Sequence, residues 1–101
     1  MPTLQIDLPL DQIATFCRKW RITELSLFGS VLRDDFRPDS DVDVLVSCAA
    51  DTHWSLDDWL EMQAALTSML GREVDLVDKR EISNPFRRHA ILTTRQVMYA
   101  A

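Results

Sequence analysis

Apolar residues recur along this chain with two periods, and the alternation between them sets out its elements. Leu10, Ile13, Ala14, Cys17 and Trp20 fall at helical spacing, which predicts an amphipathic helix near residues 10 to 20 with Asp11 in its first turn. Leu25, Leu27 and Phe28 mark a first strand. A second begins at Asp41, where Asp41-Val42-Asp43-Val44-Leu45-Val46 alternates polar and apolar before giving way to an apolar run. Ser55 to Leu70 is the clearest helix. Ser55 and Asp58 suit a capping box with Asp in place of Glu, Leu56, Trp59, Leu60, Leu66, Met69 and Leu70 form its apolar face, and Gly71 stops it. Arg72 to Val77 reads as a further short strand. Asn84-Pro85 opens a last helix that would lean Phe86, Ala90 and Leu92 or Thr93 on the sheet. Helices alternating with short strands predict an α/β (α+β) fold, a small mixed sheet flanked by helices.

The 101 residues, 47% of them hydrophobic and three of them Trp, suit one domain spanning 1-101 with a modest core. No apolar run is long enough for a membrane span, and the N-terminus lacks a basic region followed by an apolar stretch, so a cytoplasmic location is expected. Cys17 and Cys48 lie in apolar segments and read as reduced packing residues. A net charge of −5, from eleven basic against sixteen acidic residues, argues against extended nucleic-acid binding.

The chemistry concentrates in carboxylates. Strand alternation points Asp41 and Asp43 to one face and Val42, Val44 and Val46 to the other. Clustered anions repel unless a cation lies between them, and hard oxygen ligands favour Mg²⁺ or Mn²⁺. Asp75, set among apolar strand residues, supplies a third carboxylate. Three such groups on neighbouring strands can hold one or two metal ions for phosphoryl chemistry. Ten residues separate Gly29-Ser30 from Asp41. Ser30 opening a short helix at Val31 to Asp35 would aim free backbone N–H groups and a hydroxyl at a phosphate. An antiparallel pairing of the first two strands would bring that turn beside the carboxylates. Each element also has a plainer reading. Asp41 and Asp43 alone fit a solvated turn, Gly29-Ser30 a strand-ending turn, Arg33 a surface helix arginine, and Arg87, Arg88 and Arg95 a solvated face with some ion pairing.

Competing motifs fail on inspection. There is no Gly-rich loop ending in Gly-Lys-Ser or Gly-Lys-Thr, so a P-loop is excluded. Asp39, Asp41 and Asp43 imitate a calcium loop, but Val44 and Ala50 stand where Gly and Glu are required. His53 and His89 lie far apart and without cysteine neighbours, which suits no zinc site.

Leu27-Phe28-Gly29-Ser30-Val31-Leu32-Arg33, then Arg37-Pro38-Asp39-Ser40-Asp41-Val42-Asp43-Val44-Leu45-Val46, resembles the minimal nucleotidyltransferase family of the DNA polymerase β superfamily. Gly71 to Val77 resembles that family's third-carboxylate strand, and the closing helix with Val97-Met98-Tyr99 its usual ending. The resemblance covers most of the chain from about Ile22 onward. It implies a polymerase β palm-like nucleotidyltransferase fold and an antitoxin paired with a HEPN-domain ribonuclease toxin in a hetero-oligomer. The implied reaction transfers AMP from ATP to a tyrosine hydroxyl of that toxin. Carried onto this sequence, Asp41, Asp43 and Asp75 are the metal-binding and catalytic residues, with Gly29, Ser30, Arg33 and Ser40 as nucleotide-binding residues. Two other functions stay open on the residues alone, an antitoxin that silences its partner by binding without catalysis, and a nucleotidyltransferase with a small-molecule acceptor.

Overall fold

The structure is a computed structural model that describes residues 9–29 and 41–101. The expected Val31 to Asp35 helix, Ser30, Arg33 and Ser40 lie outside the described residues. The elements run α1 (Leu10–Trp20), β1 (Ile22–Phe28), β2 (Val42–Cys48), α2 (Leu56–Leu70), β3 (Val74–Asp78), a 3-10 turn at Lys79–Glu81, α3 (Pro85–Thr94) and β4 (Gln96–Ala100). Their four strands form one mixed sheet in the order β3-β2-β1-β4. β1 pairs antiparallel with both β2 and β4, whereas β2 and β3 are parallel. A parallel pair needs a crossover, and α2 supplies it.

Alternation along the central strands sorts side chains onto two faces. Val42, Val44 and Val46 of β2 join Leu25, Leu27, Val74 and Leu76 against Ile13, Phe16 and Cys17 of α1 and Met62 and Leu66 of α2. The opposite face carries a smaller cluster, in which Phe28 and Leu45 meet Ile82 and Ile91, with Val77 and Leu92 packed alongside. Full burial of each large aliphatic side chain contributes about 1.5–3 kcal/mol, so the larger cluster dominates the core.

Local signals produced the helix ends they predict. Ser55 accepts from the Asp58 N–H while the Asp58 carboxylate accepts from the Ser55 N–H, both at 3.0 Å, completing the capping box. Gly71 closes α2 in the left-handed region at φ +69°, and Asn84 caps α3 through the Phe86 and Arg87 N–H groups.

Several burial expectations fail. Leu56 and Leu60 are exposed, whereas Leu66 of the expected α2 face is buried, Trp59, Met69 and Leu70 pack partly buried on the core, and Met62 joins them fully buried. Phe86 is 85% exposed, Ala90 and Thr93 are also exposed, and Ile91 is the residue of α3 that enters the core. Arg95 makes an ion pair of the kind expected for that face, with Glu24 of β1 at 3.0 Å, but both side chains are more than half buried rather than solvated. Arg88 is half-buried and donates to the Lys79 carbonyl at 2.8 Å. Cys17 is buried, and burial pushes its thiol up to about 12. Cys48 is half-buried and also unpaired. No helix of the described residues is long and apolar enough to cross a membrane.

Candidate active site

Asp43 and Asp75 are register partners in the parallel β2–β3 pair. Partners on parallel strands point the same way with backbones about 4.8 Å apart, so the two carboxylates stand side by side. Asp43 also lies opposite Phe28 across the β1–β2 ladder. That places both acids on the sheet face that carries Phe28, Leu45 and α3, away from α1 and α2. The three valines of β2 are fully or almost fully buried behind them. A rigid strand core therefore fixes the direction of Asp43.

Asp41 sits one residue before β2 and is exposed. The Val42 N–H donates to the Glu73 carbonyl at 2.9 Å, tying the entry of β2 to the entry of β3. Asp43 is half-buried, while Asp75 is exposed rather than enclosed by its apolar neighbours. β2 is an interior strand and β3 a terminal one, so Asp43 and Asp75 lie on a face of the sheet near its β3 side. Two unit charges about 5 Å apart repel by about 1 kcal/mol in bulk water and by about 3 kcal/mol near a protein surface.

Gly29 completes the described part of the site. It ends β1 at φ +77°, and a Cβ built on it would run into the Asp43 Oδ2 and lie 3.2 Å from the Asp43 Cγ. The carboxylate thus occupies space that only glycine leaves open. Strand period and the Gly-Ser turn made the site residues legible, but this contact between Gly29 and Asp43 has no signal in the sequence, since it depends on the β1–β2 register.

The donor set fits a hard divalent cation in one particular way. Among the described residues no group of three or more His, Cys, Asp or Glu side chains converges as a metal cage. Magnesium takes one or two carboxylates and fills the rest of its octahedron with water and substrate phosphate oxygens. The adjacent Asp43 and Asp75, with Asp41 at the rim, match that requirement, and the Gly29 cradle aims one of them.

A cleft of about 470 Å³ lies elsewhere, between the loop before α2 and the end of β3, walled in part by Trp54, Trp59, Asp78 and Arg80. Asp78 is 4% exposed and takes two Arg80 nitrogens at 2.9–3.3 Å. The Arg80 Nη1 donates to the Thr52 carbonyl, and its guanidinium lies 5.7 Å from the Trp54 ring. Hydrogen bonding to Asp78 raises the Arg80 pKa above its usual value. These charges satisfy one another and pin the loop to β3, so the cleft is structural. The carboxylate site is the better chemical candidate.

Comparison with known proteins gives the family and the fold. The sequence profile of the family described as nucleotidyltransferase domain matches residues 10–98. The chain is 32% identical over 81 residues to protein adenylyltransferase MntA of Thermococcus cleftensis, covering 80% of this chain and 77% of that one. Its fold is similar to a chain in the crystal structure of a toxin-antitoxin with AMP-PNP, with a TM-score of 0.73 at 27% identity over 93% of this chain and 75% of that one. It is also similar to a chain in the complex of a tri-AMPylated Shewanella oneidensis HEPN toxin with MNT antitoxin. There the TM-score is 0.64 at 28% identity, over 91% of this chain and 70% of that one.

Proposed function

The chain belongs to the nucleotidyltransferase domain family, and from that premise we propose that it is a Mg²⁺-dependent protein adenylyltransferase acting as an antitoxin, with ATP as donor and a tyrosine of a HEPN-domain toxin as acceptor. One observation carries the reading. Asp43 and Asp75 stand side by side on the face away from α1 and α2, and Gly29 leaves the space that the Asp43 carboxylate fills. The relatives named adenylyltransferase and antitoxin support the choice of a protein acceptor.

Asp41, Asp43 and Asp75 would hold the metal, which when bound supplies charge neutralisation at the triphosphate and at the attacking oxygen. Gly29 and Ser30 hold the phosphates through backbone N–H groups and the Ser30 hydroxyl, with Arg33 and Ser40 as further nucleotide contacts. A tyrosine hydroxyl titrates near 10, so it needs a base at neutral pH. Asp75, exposed and open to an incoming side chain, takes that proton as the phenolic oxygen forms its bond to the α-phosphorus. The bond from the α-phosphorus to the bridging oxygen breaks, and pyrophosphate leaves with the electron pair. Preorganised strand carboxylates suit this chemistry, which depends on position and charge more than on covalent participation by the protein.

Intact mass measurement of the HEPN partner after incubation with this chain, ATP and Mg²⁺ tests the proposal. A gain of one or more AMP units, absent with Asp43→Asn, is expected. A stable complex without any mass gain would refute catalysis in favour of silencing by binding, and neither complex nor gain would point to a small-molecule acceptor.

A further inference from the structure

Charge is unevenly distributed along this chain. Five of the eleven basic residues but one of the sixteen acidic ones fall within 79–101, so that stretch carries +4 while residues 1–78 carry −9. Within it, α3 exposes Phe86 at 85%, together with Arg87, His89, Ala90 and Thr93. Phe86, Ala90 and Thr93 recur at the spacing of one helical face, with His89 and Arg87 beside them. The Arg87 side chain has no hydrogen bond or ion pair in the described structure, and Arg88 bonds only a neutral carbonyl, so neither charge is neutralised. Ile91, on the other side of the helix, packs on Phe28 and Leu45 and fixes α3 to the sheet face that bears Asp43 and Asp75.

We infer that this exposed face of α3 is the docking surface for the acceptor protein, which meets it with an acidic patch surrounding an apolar pocket for Phe86. The inference rests on the acceptor being a protein and adds where it is held. A nearly fully exposed phenylalanine flanked by arginine is the side-chain combination that anchors protein interfaces, where aromatic and arginine residues carry most of the binding energy. The basic charge selects an acidic partner and steers its approach. A nucleic acid is the weaker occupant, because an extended phosphate backbone needs many cations along its path and the chain as a whole carries −5. A second copy of this chain would set the basic face against the acidic remainder, a heterologous contact that does not close and so builds chains of molecules rather than a defined complex.

The test titrates the HEPN partner with wild type, Phe86→Ser and Arg87→Glu at low and high salt without nucleotide, then measures KM and kcat for AMP transfer. Both positions are exposed, so thermal midpoints should match wild type and exclude misfolding. The expected result is a Kd and a KM raised about tenfold or more in each variant, about 1.4 kcal/mol per decade, with kcat unchanged. Salt should weaken the wild-type complex more than that of Arg87→Glu. Unchanged Kd and KM in both variants would overturn the inference, as would failure of the wild type to bind the partner. So would loss of RNA binding or of self-association in the variants while partner affinity stays intact. If the wild type binds and the variants do not, yet no AMP is transferred, the docking surface stands and the catalytic reading falls.

Discussion

Substituting each described glycine with positive φ separates backbone strain from damage to the site. Gly29 and Gly71 have nearly the same backbone, at φ +77° and +69°, so an added Cβ imposes a similar conformational cost of about 1–2 kcal/mol at either one. In a domain of this size each kcal/mol lowers Tm by about 4–8 °C, so both alanine variants should melt roughly 4–16 °C below wild type. Their surroundings differ. The Gly71 Cβ would meet nothing within 4 Å, whereas that of Gly29 would collide with the Asp43 carboxylate. Asp43 is anchored in β2 between fully buried valines and cannot shift its backbone, so its side chain must rotate away. A misplacement of about 1 Å at a reacting centre costs on the order of 100-fold in rate. AMP transfer to the HEPN partner should therefore fall about 100-fold in Gly29→Ala and stay within about twofold of wild type in Gly71→Ala, assayed well below either Tm. Equal transfer rates in the two variants would refute the claim that Gly29 makes room for a catalytic carboxylate.

Asp43→Asn should lower transfer by about 100-fold or more, while the near-isosteric amide leaves the fold intact; thermal denaturation beside the transfer assay checks both. Ser55→Ala removes one half of the α2 capping box and should cost about 1 kcal/mol, read as a fall in denaturation midpoint with no change in transfer. Burial raises the Cys17 thiol to about 12 in the folded chain, against about 8.5 when unfolded, so the folded state keeps a proton that the unfolded state releases. That contribution is intact below the unfolded value and is lost as pH rises from there toward 12. Denaturant midpoints should fall across that window, by less in Cys17→Ala than in wild type.

How much of the molecule its sequence discloses depends on how local each cause is. The Ser55 cap, the Gly71 stop and the Asn84-Pro85 start follow from neighbouring residues, and the structure has each of them, whereas Asp41, expected to open the second strand, sits one residue before it. The side-by-side position of Asp43 and Asp75 needs a parallel β2–β3 register, which the sequence suggested only as carboxylates on neighbouring strands. Leu66 is buried as its place on the apolar face of α2 implied, but Leu56 and Leu60 of the same expected face are exposed and Met62, outside it, is fully buried, a choice that depends on where the sheet lies against the helix. The same holds for Arg95, whose partner Glu24 lies on a strand more than seventy residues earlier in the chain.

Phe86 reverses expectation for a different reason. A phenylalanine in the first turn of an amphipathic helix is expected to enter the core, yet the short α3 turns Ile91 inward and leaves Phe86 in solvent. Isolated exposed apolar residues are common on protein surfaces and need no explanation. Here the exposed ring lies among unneutralised cations, on the only stretch of the chain with a large positive charge, and on the same sheet face as Asp43 and Asp75. The face that departs most from the rules of a self-sufficient fold is where an acceptor protein has the most to gain by docking.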